Sequence, residues 1–109
     1  MAALPLIVFD LDGTLVDTAP DLISALNFVL EREGMSAVPL ASARRMIGAG
    51  ARKLIERGLE AEGRITTMED VTRLTADFID YYAEHIADAS RPFEGLEAAL
   101  DDLAARGHL

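Results

Sequence analysis

The apolar residues of this 109-residue chain form one unbroken run near the start and then recur at helical spacing. The run Leu6–Phe9 carries no charge and stops at Asp10. An uncharged run of this length predicts a short strand buried on both faces, as in a parallel sheet. The polar residues from Asp10 onward would then follow the carboxyl end of a strand, where open α/β sheets bind their ligands.

The remaining chain has the apolar period of amphipathic helices. Thr18 and Thr67 each stand three residues before an aspartate, which predicts a helix cap at each, and Gly34 and Gly107 are stop signals. The predicted helices run from Thr18 to Glu33, from Ala41 to Ile47, from Ala51 to Ala61, from Met68 to Ala87 and from Leu96 to Arg106, with a break at 90–95.

The fourth predicted helix has one apolar face, formed by Val71, Leu74, Phe78, Ile79, Tyr82 and Ile86. We interpret Tyr81, Tyr82 and His85 as packing or rim residues, because aromatic residues at helical spacing usually belong to a core. A single strand among helices predicts an incomplete α/β core. Burying its unpaired edges costs free energy, so this chain should not form a parallel sheet alone, although helices 18–87 can pack as a bundle.

The composition narrows the function classes. With 19 acidic and 10 basic residues the net charge is −9, which argues against a general nucleic-acid binder and against binding to an anionic membrane surface. The chain has no cysteine, and its first apolar run is too short for a signal peptide or a membrane span. We therefore expect a cytoplasmic protein, in which an anionic substrate needs a metal ion and locally placed cations.

Asp10 and Asp12 are the candidate catalytic residues. Side chains two positions apart in an extended segment point the same way, and Gly13 permits a turn directly after them. One carboxylate can attack phosphorus while the other carries the leaving-group proton. Both would attract Mg²⁺, which prefers oxygen ligands. For a bare Asp-x-Asp the alternative is an acidic turn without chemistry.

The segment Gly48–Gly50 precedes the third predicted helix and suggests an anion site. Backbone amides at a glycine-rich helix start can hold an anion, and Arg52 and Lys53 follow closely. The alternative is an ordinary turn between two helices.

The decapeptide from Phe9 to Thr18 resembles the first motif of the haloacid dehalogenase superfamily, whose phosphatases have D-x-D-G-T after an apolar strand. The resemblance implies that Asp10 is the nucleophile and Asp12 the general acid/base. It also implies that the Asp10 carboxylate and the Asp12 backbone carbonyl bind Mg²⁺. The acid at position 12 argues against the dehalogenase branch, which lacks one there.

The order of strand, motif, helical insertion and return helix is similar to superfamily members with a helical cap directly after the first motif. This implies a Rossmannoid haloacid dehalogenase-like core at 1–17 and 89–109, with a mostly helical chain and a cap at 18–88. The implied substrate is a small anionic phosphomonoester. Its implied contacts are Thr14, Arg45, Gly48, Gly50 and Lys53.

Later motifs of the superfamily have no match here: a Ser or Thr after the second strand, a Lys, and a late acidic pair. We therefore expect the 109-residue chain to be the N-terminal portion of a larger phosphatase and to be catalytically inert alone. The alternatives are another small-phosphate phosphatase or phosphomutase, or a non-catalytic helical module that self-associates through the strand Leu6–Phe9.

Overall fold

The computed structural model describes residues 4–109, which form five α-helices and a two-stranded sheet. The shape is elongated, with extents of 60 × 24 × 23 Å. The sheet pairs β1 (Val16–Asp17) antiparallel with β2 (Arg91–Pro92). The helices are α1 (Ala19–Arg32), α2 (Leu40–Ala43) with a 3₁₀ turn (Arg44–Met46), α3 (Ala51–Ala61), α4 (Met68–Glu84) and α5 (Leu96–Ala105).

A bundle of α1, α3 and α4 contains the core, as the apolar periodicity predicted. Its largest fully buried side chains are Phe78, Leu26, Leu30, Ile55 and Val29. At Gly58, α3 comes so close to α1 that a Cβ there would lie 3.0 Å from Leu26 Cδ1. The small residue therefore sets the packing distance between these two helices.

The helix boundaries agree closely with the prediction, except near the end of α4. This helix ends at Glu84 and not at Ala87, because His85 leaves the helical backbone and its Nδ1 hydrogen-bonds to Asp88 at 2.7 Å. The prediction that Ile79 and Ile86 share the buried face was wrong: both are about half exposed. Ile86 lies beyond the helix, and Ile79 lines a cleft that is described below.

Only one of the two predicted threonine caps forms. The Asp70 amide donates to Thr67 Oγ1 at 3.1 Å, as predicted. The Thr18 side chain makes no cap hydrogen bond, although the Thr18 carbonyl accepts from the Leu22 amide. Thr18 has an αR backbone conformation, and its buried hydroxyl has no hydrogen-bond partner. The Asp21 carboxylate accepts hydrogen bonds from the amides of residues 89 and 90 instead. The sequence pattern was right about the helix start and wrong about its chemistry.

The predicted strand Leu6–Phe9 does not form, and its expected burial was wrong. Leu6 is 69% exposed and Val8 84% exposed. The Ile7 amide donates to the Leu109 carbonyl at 3.1 Å, but residues 4–109 supply no strand to pair with this segment. A strand needs partners for its amides and carbonyls, so the run does not join a sheet. Residues 1–3 of the predicted first segment lie outside the described residues.

The apolar side of α5 is only partly covered: none of its residues is fully buried, and Leu96, Leu100 and Leu103 are half-buried. At its carboxyl end Gly107 has a φ of 92°, and the His108 amide donates to the Leu103 carbonyl, as the predicted glycine stop requires. Within residues 4–109, no helix has the length and hydropathy that a membrane crossing demands.

The packing of the bundle predicts that replacing isoleucine by valine changes the free energy of unfolding by different amounts at two positions. Ile55 is fully buried between the helices, whereas Ile65 is fully exposed. We expect Ile55→Val to lower the free energy of unfolding by about 0.5–1.5 kcal/mol, because it removes one buried methylene group. Ile65→Val is the matched control and should change it by less than about 0.5 kcal/mol. Urea unfolding measures both, and equal effects would contradict this packing.

Candidate functional site

The segment from Asp10 to Asp17 is a tightly wound loop. The Leu11 carbonyl accepts hydrogen bonds from the three amides of residues 14–16 at 3.1–3.2 Å, and the Gly13 amide donates to the Val16 carbonyl at 2.9 Å. Gly13 has a φ of 74°, a left-handed conformation that favours glycine. The backbone conformation of the turn thus explains why the D-x-D-G-T motif has a glycine at this position. Both aspartates are exposed at the start of the turn.

Two polar contacts fix this loop to neighbouring elements. The Asp17 carboxylate receives two hydrogen bonds from the Arg44 guanidinium, at 2.9 and 3.0 Å. These bonds lower the pKa of Asp17; burial opposes them, and the charge of Arg44 reinforces them. The Phe93 amide donates to the Leu15 carbonyl at 3.1 Å, beside the short sheet. The loop is therefore attached both to the 3₁₀ turn after α2 and to the segment that leads into α5.

A buried carboxylate completes the attachment. Asp21 is only 3% exposed, and it accepts hydrogen bonds from the Ala89 amide, the Ser90 amide and Ser90 Oγ at 2.6–3.0 Å. Burial is the largest single influence and raises the pKa of Asp21. The three donors and the nearby Arg91 together outweigh it, so that the pKa lies below its ordinary value.

Asp10 and Asp12 line one cleft of about 330 Å³ together with the glycine segment before α3. Gly48 and Gly50, both predicted as substrate contacts, border this cleft, and so does Ala51 at the first turn of the helix. The amides of a first helical turn have no partner within their own helix. The cleft thus brings together two carboxylates and a helix start that can accept an anion.

Most of the remaining cleft wall is apolar, and Tyr82 is the exception. Burial raises the pKa of Tyr82, and the nearby Asp12 and Asp21 raise it further, which keeps the phenol protonated. Among residues 4–109, no lysine or arginine lines this cleft. The apolar wall consists of Leu22, Ile47, Leu54, Phe78 and Ile79.

The structure does not bring the other predicted contacts to this cleft. Thr14 and Arg45 are exposed and do not line it. Lys53 lines a different cleft, of about 370 Å³, and its Nζ lies 3.2 Å from Glu56 Oε2. Lys53 lies on the exposed side of α3, whereas the next residue, Leu54, is buried. The roles of these three residues stay predictions that the present geometry does not support.

The two carboxylates match the ligand chemistry of Mg²⁺, which is commonly held by one or two carboxylates together with water and substrate phosphate oxygens. Within the described part of the chain, no third acidic or histidine side chain joins them in a metal-binding group. The two carboxylates therefore fit part of a magnesium site.

Sequence reasoning missed two features of this site. Tyr82 packs against the core, as its interpretation as a packing or rim residue predicted, but its place in the wall of the cleft was not predicted. Tyr82 follows Phe78 by one helical turn, and a lone hydroxyl on that apolar face was the available signal. Arg44 and Asp17 are 27 positions apart, so no local pattern connects them. Their pairing depends on how α2 packs against α1, which only the tertiary structure shows.

Comparison with known proteins shows the family of this chain. The chain belongs to the haloacid dehalogenase-like hydrolase family, because the model of that family matches residues 7–109. It is 50% identical over 101 residues to a phosphoglycolate phosphatase of Caulobacter vibrioides, covering 93% of this chain and 43% of the relative. A phosphoglycolate phosphatase of Mesorhizobium japonicum is 43% identical over 105 residues, which cover 96% of this chain and 46% of the relative.

A solved structure shares the fold. A protein of Haemophilus somnus, described as a predicted phosphoglycolate phosphatase, superposes with a TM-score of 0.80 at 27% identity. The match covers 95% of this chain and 48% of that protein. The expected haloacid dehalogenase-like fold is thereby confirmed, and the chain spans about half the length of the relatives it matches.

The Asp21 contacts predict a specific pH dependence of stability. The lowered pKa means that the ionised carboxylate stabilises the fold above its ordinary pKa of 3.8, and that this contribution is lost as the pH falls through the lowered value. We expect Asp21→Asn to lower the free energy of unfolding at pH 7 by about 1.5–3 kcal/mol, the range for hydrogen bonds to a charged group.

The difference in the free energy of unfolding between Asp21→Asn and the unmodified chain should become smaller between pH 5 and pH 3. Urea titrations at several pH values measure it. Asp80→Asn, an exposed position on α4, is the control and should show a small difference at every pH. A difference for Asp21→Asn that stays constant between pH 5 and pH 3 would rule out the ionised carboxylate as its source.

Proposed function

We propose that this chain supplies the nucleophile and part of the substrate site of a phosphomonoester hydrolase acting on 2-phosphoglycolate. The observation that carries the proposal is that Asp10 and Asp12 share one cleft with Gly48 and Gly50. The substrate follows from the relatives, which are phosphoglycolate phosphatases at 43–50% identity. We also propose the cytoplasm as its location, since a chain without cysteine needs no oxidising compartment.

The proposed reaction has two steps. A carboxylate oxygen of Asp10 attacks phosphorus, the phosphorus–oxygen bond to the alcohol breaks, and Asp12 donates a proton to the departing glycolate oxygen. Asp12 then accepts a proton from water, which attacks the aspartyl phosphate, releases inorganic phosphate and restores Asp10. The exposure of both carboxylates at one cleft supports their acting on the same substrate.

We propose Mg²⁺ as the cofactor, with the Asp10 carboxylate and the Asp12 carbonyl as its ligands in this chain. When bound, the ion would offset the repulsion between an anionic nucleophile and an anionic phosphate. This chain's own residues then have to orient the substrate, and the unpaired amides at the start of α3 are suited to hold its oxygens.

We further propose that the 109-residue chain has no appreciable turnover alone. Phosphoryl transfer depends on positive charge around the transferred group, and among residues 4–109 no cationic side chain lines the cleft. The relatives are about twice as long, so the remaining half of such a protein is where those groups belong. Phosphatase turnover by the purified chain at the level of its relatives would refute this.

A chimera tests the assignment of Asp10. The 101 matched residues of the Caulobacter enzyme are replaced by those of this chain, and hydrolysis of 2-phosphoglycolate is measured with Mg²⁺. We expect the chimera to be active and Asp10→Asn to reduce kcat by at least about 10³-fold, because the phosphoryl group then lacks its acceptor. Asp12→Asn should reduce kcat by about 10²–10⁴-fold, the range for general acid–base catalysis.

Asp80→Asn is the control for this experiment, since it makes the same chemical change at an exposed position of α4 outside the cleft. Circular dichroism confirms that each variant is folded. Retained activity in folded Asp10→Asn would contradict the nucleophile assignment. A panel of small phosphomonoesters and phosphosugars on the active chimera separates phosphoglycolate hydrolysis from the alternatives, another phosphatase or a phosphomutase.

The second candidate function, a self-associating helical module, rests on a separate observation. Leu6, Val8 and Leu109 are all more than half exposed, and α5 has no buried residue. Light scattering should then show a mass that rises with the concentration of the chain, because exposed backbone and apolar side chains recruit partners. The substitution Val8→Asp should reduce that rise, with Ile65→Asp as an exposed control. A concentration-independent monomer would dismiss this candidate.

A further inference from the structure

The cleft that contains Asp10 and Asp12 is poor in hydrogen-bond donors. Its two carboxylates accept hydrogen bonds when ionised, and its glycine and apolar residues contribute no polar side chain. A phosphorylated carboxylic acid consists almost entirely of acceptors at its two ends. Within the described residues, Tyr82 is the one lining side chain that is able to donate to such a ligand.

The ring of Tyr82 is held in place while its hydroxyl is left unused. It stacks on Phe78 with centroids 5.9 Å apart and planes 14° apart, and Phe78 is only 2% exposed. In residues 4–109 the Tyr82 hydroxyl has no hydrogen-bond partner. A rigid ring loses little further conformational freedom on binding, so its hydroxyl is a preorganised donor.

The adjacent tyrosine has a different environment. Tyr81 stacks on Phe28 at 4.0 Å and on His85 at 4.2 Å, and it does not line the cleft. The chain thus provides two neighbouring phenols on α4, of which one borders the candidate site and the other belongs to an aromatic stack between α1 and α4.

We propose that Tyr82 is a substrate-binding residue whose hydroxyl donates a hydrogen bond to an oxygen of the phosphorylated substrate. The proposal rests on the function given above and adds a specificity residue from α4 to the loop and the glycine segment. A hydrogen-bond donor in the same cleft as two acceptor-only carboxylates favours ligands with a second anionic end over ligands with an apolar one.

Tyrosine fluorescence tests binding on the chain itself, without turnover. The chain has two tyrosines and no tryptophan, so Tyr81→Phe leaves Tyr82 as the sole emitter, and Tyr82→Phe leaves Tyr81. Titration with 2-phosphoglycolate and Mg²⁺ should change the emission of Tyr81→Phe and leave that of Tyr82→Phe unchanged. Inorganic phosphate is the second probe, and glycolate without phosphate is the negative control. The proposal would be overturned if the ligand left the emission of Tyr82 unchanged in Tyr81→Phe, or if it changed the emission of Tyr81 in Tyr82→Phe.

Kinetics of the chimera provide the second readout. Tyr82→Phe should raise KM for 2-phosphoglycolate about 10- to 100-fold with little change in kcat, because it removes a hydrogen bond to a charged acceptor that persists through the reaction. Tyr81→Phe should change neither constant by more than about twofold. An unchanged KM in Tyr82→Phe would overturn the role of Tyr82 and leave the hydrolase intact. An inactive chimera with a Tyr82 emission response would instead count against the hydrolase.

Discussion

The buried carboxylate of Asp21 is the contact on which the rest of this arrangement depends. It lies at the start of α1, yet its hydrogen-bond donors come from Ala89 and Ser90, 68 and 69 positions later. A carboxylate in the interior is stable only when donors surround it, and here two backbone amides and a hydroxyl do so. The chain that leaves the helical bundle is thereby returned to the point where it entered.

This return has a direct effect on the site. Because residues 89–90 are fixed beside α1, the next two residues can pair with β1, and β1 closes the loop that begins at Asp10. The Arg44–Asp17 pair then ties the same loop to the turn before the glycine segment. The D-x-D-G-T motif and the start of α3 belong to distant parts of the chain, and these contacts bring them to one cleft.

Local sequence signals predicted what local physics determines. The boundaries of α3 and the Thr67 cap followed from periodicity and capping chemistry, and the motif around Asp10 identified the family that the comparison confirmed. The strand at Leu6–Phe9 does not form, because residues 4–109 offer it no neighbour, which agrees with the expectation that this chain cannot build a parallel sheet alone. Arg44 pairs with Asp17, 27 positions away, and Asp21 accepts hydrogen bonds from residues 89 and 90, so no pattern within a single helix reveals these contacts.

The close approach at Gly58 and the buried residues around it all lie between Ile23 and Phe78. A ribosome therefore releases a complete hydrophobic core once Phe78 and the end of α4 have emerged, while Leu6–Phe9 still has no partner. We expect the bundle to fold early during synthesis and to carry an exposed apolar segment at its front. Such a segment is prone to associate with other chains while it is exposed.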